Sequence, residues 1–213
     1  MSHTTGIRQA QKLRTRQALL DAALELLEHQ SLSSLGLREV TRAVGVTPTA
    51  FYRHFDGTAA LGVALVEETL GSLHGMIAAI LADTGDSGER LDRSVGVITR
   101  HVTAQPAHFR FIAREQHGGV RQVREAIAAQ LRGFAEEVAH ALGEEAESAG
   151  WDQEDLVMLG GLYVDHMVMT ASALLDAGPE GEQEVVRVAR RRLRLVTLGR
   201  AHWLDGPAVG SVS

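Results

Sequence analysis

The segment LREVTRAVGVTPTAFYRHF, residues 37–55, constrains the fold more than any other stretch of this chain. Gly45 is typical of a residue that ends a helix, Thr47 of an N-cap and Pro48 of a first helical position. The segment therefore predicts two short helices that are joined by a tight turn at Gly45.

The second of these short helices predicts a buried side and a presented side. Phe51 and Phe55 are four positions apart, so both side chains face the same way and fill a small core with Val44 and Val46. The remaining polar and aromatic side chains of the segment point away from that core. A longer amphipathic helix, expected from about Arg14 to His29, precedes the pair and completes a three-helix unit that contains a helix-turn-helix.

The rest of the chain predicts longer helices. Apolar residues recur with helical spacing, and alternation with a period of two residues is missing. Proline or glycine marks most of the inferred ends. The expected helices span about Thr58–Ala82, Arg90–Ala104, Pro106–Gln116, Val120–Ser148, Trp151–Ala177 and Glu180–Leu204, with a disordered tail after them. The fold class is therefore all-α.

Charge and composition exclude several classes of protein. Residues 1–57 hold seven Lys or Arg against five Asp or Glu, although the whole chain carries a net charge of −6. A locally basic end on an acidic chain is typical of a modular nucleic-acid binder. The chain has no cysteine, which excludes disulfides and thiol catalysis. No apolar run approaches the length of a membrane span, and no apolar signal core is seen, so we expect a cytoplasmic protein.

No known catalytic or metal-binding motif is recognised. His74, His101, His108 and His166 lack the spacing of metal ligands. Ser94 and Ser172 do not lie in a nucleophile elbow. We therefore expect no enzyme activity, no catalytic residue, no cofactor and no metal site. An all-α enzyme with an accessory DNA-binding domain stays as the alternative from another class.

The helix-turn-helix segment resembles that of the TetR family of bacterial transcriptional repressors, in its Gly-Val-Thr turn, its aromatic pair and the closing His54–Phe55. The resemblance implies a DNA-binding domain, residues 1–57, and a larger helical effector-binding and dimerisation domain, residues 58–213. It also implies a homodimer that binds a palindromic operator in double-stranded DNA and dimerises through its last two helices. The implied DNA-binding residues are Arg14, Thr15, Arg16, Arg38, Thr47, Pro48, Thr49, Tyr52, Arg53 and His54.

A finer resemblance is to the FabR/DesT branch, which responds to fatty-acyl thioesters. It rests on TPTAFYRHFDGTAALGVALVEE, residues 47–68, and FRFIAREQHG, residues 109–118. It implies a repressor of lipid-metabolism genes with a long-chain acyl-CoA effector, whose phosphates would lie near Arg110 and Arg114. The alternative is a TetR-type regulator of another apolar compound, a drug or a steroid, for example one that controls efflux. The helices that line the pocket in similar proteins would contribute the effector-binding residues Leu73, Met76, Ile77, Ile80, Val97, Ile98, His101, Phe109, Phe111, Ile112, Met158, Leu162, Tyr163, His166 and Met169.

Overall fold

The computed structural model of the chain describes residues 2–82, 87–145 and 148–205. Within these residues the chain forms eight α-helices and one short 3₁₀ turn, and no β-strand, so the expected all-α fold is confirmed. In chain order the helices are α1 Ser2–Leu27, α2 Leu37–Val44, α3 Pro48–Phe51, α4 Thr58–Leu81, α5 Ser87–Ala104, α6 Pro106–Glu115, α7 Arg121–Gly143 and α8 Gln153–Ala201, and the 3₁₀ turn is Trp203–Asp205.

The chain divides into two compact units. The first unit comprises Met1–Gly71 and Ala107–Ala128, and the second comprises Ser72–Pro106 and Ala129–Ser213. Helices α4 and α7 each contribute residues to both units. The boundary between a DNA-binding and an effector domain at residues 57 and 58 is a functional division and stays a prediction.

The core of the first unit is built around α3. Phe51 is fully buried and Phe55 is 4% exposed, and their ring centroids lie 5.6 Å apart. The expectation that both rings face inward is therefore confirmed. Leucine and valine side chains surround them, because α1, α2 and α4 each turn one apolar stripe inward. The fully buried ones include Leu19, Val40, Leu61 and Val66.

The turn between α2 and α3 follows the sequence signals closely. Gly45 adopts the left-handed conformation, with φ 72° and ψ 28°. Its N–H donates to the carbonyl of Arg42, and the N–H of Val46 donates to the carbonyl of Thr41 over 2.9 Å. These two bonds form a Schellman motif, which satisfies the last carbonyls of α2. Since a side chain would strain this conformation, the turn needs a glycine at this position.

The second unit has its own core, built from α5, α7 and α8. Its buried members are Val95, Ala139, Leu142, Leu156, Leu159, Tyr163, Ala189 and Leu193. Gly160 of α8 lies directly against the main chain of α7 at Ala135 and Ala139, so a Cβ there would overlap with the carbonyl oxygen of Ala135. A glycine inside a helix permits either the close approach of another helix or a bend. The structure shows close approach.

Helix α8 contains one non-helical residue. Gly178 has φ 63° and ψ −170°, a conformation that is essentially restricted to glycine, and Pro179 follows it. The expectation of one helix ending near Ala177 and another beginning after Pro179 is therefore confirmed. The first half of α8 begins at an N-cap, Asp152, whose carboxylate accepts from the N–H of Asp155 over 2.8 Å.

Three expected boundaries differ from the structure by four residues or more. Helix α1 begins at Ser2 rather than near Arg14. Residues 2–13 lack the apolar stripe that periodicity detects, so the sequence pattern did not indicate this earlier start. Helix α3 ends at Phe51 rather than Phe55, since the N–H groups of Arg53 and His54 bond to carbonyls three residues back. Helix α7 ends at Gly143 rather than Ser148. The tail from residue 206 lies outside the described residues.

Helices α4 and α8 are long and apolar enough to cross a membrane, which the sequence expectation did not anticipate. Their apolar windows are 33% and 28% buried inside the protein, respectively. Core helices of soluble proteins meet the same two criteria of length and composition. The finding is therefore weak evidence for a membrane segment.

Candidate nucleic-acid interface

The outer side of α3 presents a polar surface in the first unit. Thr47, Pro48, Thr49 and Arg53 are exposed, and the Tyr52 side chain is 59% exposed. Tyr52 packs edge-on against the buried Phe51, with ring centroids 5.9 Å apart. The buried ring therefore anchors a row of side chains that can donate hydrogen bonds to phosphate or to base edges.

Thr47 has a structural task as well as an exposed position. Its hydroxyl oxygen accepts from the N–H of Ala50 over 3.2 Å, so Thr47 caps the first turn of α3 as the sequence indicates. The hydroxyl proton remains available to an acceptor such as a phosphate oxygen. Pro48 occupies the first helical position, where its missing N–H costs no hydrogen bond.

His54 is the last residue of the segment Thr47–His54, called the recognition segment here because it is expected to contact DNA, and it is half-buried. Burial lowers the pKa of His54, and the positive charges of Lys12, Arg16 and Arg53 lower this pKa further. Its Nδ1 is buried without a hydrogen-bond partner among the described residues. Burial and the neighbouring positive charges therefore favour the neutral form of His54 within this basic cluster.

Arg16 braces the recognition segment from α1. Its guanidinium carbon lies 4.4 Å from the centre of the Phe55 ring, and its Nη1 donates to the carbonyl of His54 over 3.3 Å. Thr15 is half-buried, and its hydroxyl donates to the carbonyl of Gln11. Arg14 and Arg38 are exposed. The roles of all four residues in DNA binding stay predictions.

A small basic pocket lies between α1 and the recognition segment. Its volume is about 260 Å³, and its lining consists of Gln9, Lys12, Leu13, Arg16, Arg53 and His54. Three cations around such a pocket suit a phosphate group. Lys12 was not among the residues expected to bind DNA. The i, i+4 spacing of Lys12 and Arg16 could have indicated it, but only if α1 were known to begin before Arg14.

The residues expected to bind an effector are divided between the two units. Phe109, Phe111 and Ile112 belong to the first unit, where all three are buried. The other twelve belong to the second unit. Leu73, Ile80, Val97, Ile98 and Tyr163 are buried there, Met76, Ile77, His101 and His166 are half-buried, and Met158, Leu162 and Met169 are exposed. Their role as cavity residues stays a prediction.

Two of the polar candidates are engaged inside the protein. His166 Nε2 lies 3.1 Å from the carbonyl oxygen of Ala189, and burial lowers the pKa of His166. The Tyr163 hydroxyl lies 3.1 Å from the hydroxyl of Thr197, and burial raises the pKa of Tyr163. Both side chains therefore join the two halves of α8.

The arginines suggested for a CoA head group have other partners. Arg114 is half-buried and donates to two main-chain carbonyls, those of Leu27 and Gln30. Arg110 forms an ion pair with Glu28 at 3.1 Å. The suggestion is not supported for Arg114, because its guanidinium already caps the end of α1.

Comparison with known proteins agrees with this geometry. Residues 19–65 match the family model of bacterial regulatory proteins, tetR family. This segment covers α2, α3, the turn between them, and the adjoining parts of α1 and α4. It therefore contains the recognition residues from Thr47 to His54.

The fold of the chain is similar to solved transcriptional regulators. Bacillus subtilis FadR in complex with stearoyl-CoA matches with a TM-score of 0.70 and 15% identity, over 86% of this chain and 98% of that one. The fatty acid degradation regulator FadR from Bacillus halodurans matches with a TM-score of 0.68 and 16% identity, over 90% and 97%. Reduced E. coli NemR matches with a TM-score of 0.64 and 19% identity, over 85% and 97%.

Proposed function

We propose that the chain, whose residues 19–65 match the family model of bacterial regulatory proteins, tetR family, is a ligand-responsive repressor that places α3 in the major groove of DNA. One observation carries this proposal: Phe51 is fully buried while its neighbours Thr49, Tyr52 and Arg53 are exposed. A helix with a fixed core side and a free polar side is what groove recognition requires. Such a regulator would act in the cytoplasm.

Two residues on this surface have different proposed tasks. Arg53 would contact a base edge, because it is exposed and an arginine can bind guanine O6 and N7 with two hydrogen bonds. Thr49 lies in the first turn of α3, where hydroxyl and main-chain donors suit a phosphate. A substitution at Arg53 should therefore lower the discrimination between DNA sequences, whereas a substitution at Thr49 should lower the affinity for every sequence.

The test compares Arg53→Ala and Thr49→Ala on DNA selected from a random library with the wild-type protein. Arg53→Ala should lose about 1–3 kcal/mol of discrimination between the selected site and single-base variants. Thr49→Ala should weaken binding to all sequences alike. Arg132→Ala, at an exposed position in the second unit, is the control and should change neither quantity. The opposite pattern would show that the two tasks are reversed.

We propose that a second copy of the chain covers the exposed apolar surface of α8. In its first half Met158, Leu162 and Met169 are 44%, 49% and 58% exposed, with the exposed Asp165 among them. In its second half Leu195 and Leu198 are 66% and 54% exposed beside Arg191.

An acidic apolar stripe and a basic apolar stripe on one chain are complementary across a two-fold axis. The first half of α8 in one copy would then face the second half in the other. Leu162→Glu should yield monomers in sedimentation analysis. Val157→Glu is the control, because Val157 is exposed on a different side of α8 from Leu162. A wild-type chain that sediments as a monomer at micromolar concentration would contradict the dimer.

We propose a long-chain acyl-CoA as the effector, which would make the chain a regulator of lipid-metabolism genes. The support is the fold similarity to Bacillus subtilis FadR, whose structure contains stearoyl-CoA. Each buried CH₂ of an acyl chain contributes about 0.8 kcal/mol, so a long chain provides ample binding free energy. The fold is also shared with regulators other than FadR, so the fold alone does not identify the effector. Another apolar compound is therefore the second candidate.

The effector proposal is tested on the complex of the protein with its selected DNA. Palmitoyl-CoA and oleoyl-CoA are titrated separately while DNA release is followed by fluorescence anisotropy. At least one of the two should change the DNA affinity, and the two should do so unequally, because a bent and a straight chain fit one cavity differently. If neither ligand changes the affinity while an unrelated apolar compound does, the acyl-CoA effector is wrong and the DNA-binding function stands.

A further inference from the structure

The corner between α6 and α7 packs with the helix-turn-helix, although it lies about fifty residues beyond the matched family segment. Residues 107–128 form one compact unit with residues 1–71. Val123 of α7 lies against Gly62 of α4, because a Cβ on Gly62 would come within 2.8 Å of a Val123 methyl group. Any Cβ on Gly62 would also overlap with Leu32. The corner between α6 and α7 therefore packs against the turn between α1 and α2.

Glu115 is the most deeply buried ionisable side chain at this corner. It is 1% exposed, and its Oε1 accepts from the main-chain N–H of Leu32 over 3.0 Å. Its Oε2 has no hydrogen-bond partner among the described residues. A Cβ on Gly118 would overlap with this same oxygen, so Gly118 leaves the space that Glu115 occupies. Burying a carboxyl group with a single hydrogen bond is costly, which indicates that the bond to Leu32 has a function.

Arg114 makes a parallel contact one residue earlier. Its Nη1 donates to the carbonyl of Leu27, the last residue of α1, and to the carbonyl of Gln30 over 2.7 Å. The carbonyl of Leu27 is one that the end of a helix leaves without a partner, and Gln30 lies in the turn that follows. Arg114 therefore fixes the end of α1, while Glu115 fixes the turn that follows it.

Hydrogen bonds continue from this turn to the first turn of α2. The side chain of Gln30 donates to Glu39 Oε2 over 3.3 Å, and the same oxygen accepts from the N–H of Gly36 over 3.1 Å. Gly36 is the N-cap of α2, so this bond satisfies a donor at the start of the helix. A continuous set of contacts thus links α6 to the helix that precedes the recognition turn.

We propose that Arg114 and Glu115 are positioning residues for DNA binding. They hold the α1–α2 turn, and through it α2 and α3, in the one geometry that presents the recognition surface. The inference rests on the proposed DNA-binding function and extends it, because it makes α6 a working part of the DNA-binding head.

The experiment compares two substitutions of Glu115 in the full-length protein. Glu115→Leu keeps the volume but leaves the buried N–H of Leu32 without an acceptor, and should weaken binding to the selected DNA about tenfold or more. Glu115→Gln keeps an oxygen at the position of Oε1 and should stay within about twofold of the wild type. Amide exchange at Leu32, followed by NMR, should accelerate in Glu115→Leu and not in Glu115→Gln.

Two controls separate positioning from stability and from surface charge. Val95→Ala removes buried volume from the core of the second unit and should lower stability without changing DNA affinity. Arg121→Ala removes an exposed ion pair with Glu125 in the same unit as Glu115 and should change neither quantity measurably.

The outcomes distinguish the two levels of the proposal. Wild-type affinity in Glu115→Leu, or an equal loss of affinity in Glu115→Gln, would overturn the positioning role and leave the proposed function intact. An equal loss of affinity in Val95→Ala would show that stability alone explains the effect, which also overturns it. A wild-type protein that selects no DNA would instead refute the proposed function and the positioning role with it.

Discussion

Gly160→Ala tests the packing of α8 on α7 with a single methyl group. A Cβ at position 160 would overlap with the carbonyl oxygen of Ala135 and come within 3.1 Å of the N atom of Ala139. Both atoms belong to the main chain of α7, so no side-chain rotation can relieve the overlap. The two helices would have to separate, and the core that they share with Leu159 would loosen.

The expected loss of stability follows from two opposing effects. Overpacking of this kind costs about 1–3 kcal/mol. Replacing glycine by alanine inside a helix returns about 1 kcal/mol through helix propensity. We therefore expect a net loss of up to about 2 kcal/mol, which at a urea dependence of about 3 kcal/mol/M lowers the unfolding midpoint by up to about 0.7 M.

Gly75→Ala is the matched control, because Gly75 is an exposed position within α4 and a Cβ there meets nothing within 4 Å. It should raise the urea midpoint, since only the propensity gain remains. Both variants are unfolded at one fixed protein concentration, because the stability of a dimer depends on it. A Gly160→Ala midpoint at or above that of Gly75→Ala would refute the close approach of α7 and α8.

Two further predictions concern the DNA-binding head. Gly45→Ala should lower the free energy of unfolding by about 1–2 kcal/mol. The loss comes from the left-handed backbone alone, because a Cβ there meets nothing within 4 Å. Gly45→Asn should lose less stability, and equal losses of the two variants in urea unfolding would contradict this explanation. The pKa of His54 is lowered in the folded protein, chiefly by burial. Below pH about 6.5 the unfolded chain therefore binds a proton more readily than the folded protein does. The free energy of unfolding should fall as the pH is lowered from about 6.5 to the folded-state pKa of His54. His54→Gln should flatten this part of the pH dependence of unfolding between pH 8 and 5, and an unchanged profile would contradict the assignment.

Local sequence signals predicted the helix-turn-helix well. Gly45, Thr47 and Pro48 each indicate the backbone conformation at their own position, so the turn and the start of α3 could be derived without knowledge of any distant contact. The inward direction of Phe51 and Phe55 follows from their spacing for the same reason.

Features that depend on distant residues could not be predicted in this way. Glu115 and Leu32 are 83 positions apart, and nothing near either residue indicates their hydrogen bond. Gly160 and Gly161 are adjacent and identical in sequence terms, yet only Gly160 lies against another helix. An effector cavity is likewise formed by several helices together, so the spacing of residues along one helix does not define it.

The most direct test of the central claim, that the exposed surface of α3 and the basic end of α1 bind DNA, is the salt dependence of DNA affinity. Lys12, Arg14, Arg38 and Arg53 could each neutralise a phosphate in both copies of a dimer, which predicts a slope of log affinity against log salt of about −7. Affinity for the selected site and for random DNA is measured from low to physiological salt. The account predicts a steep slope on both DNAs and a clear preference for the selected site at every salt concentration. A flat slope, or equal affinity for random DNA, would contradict it.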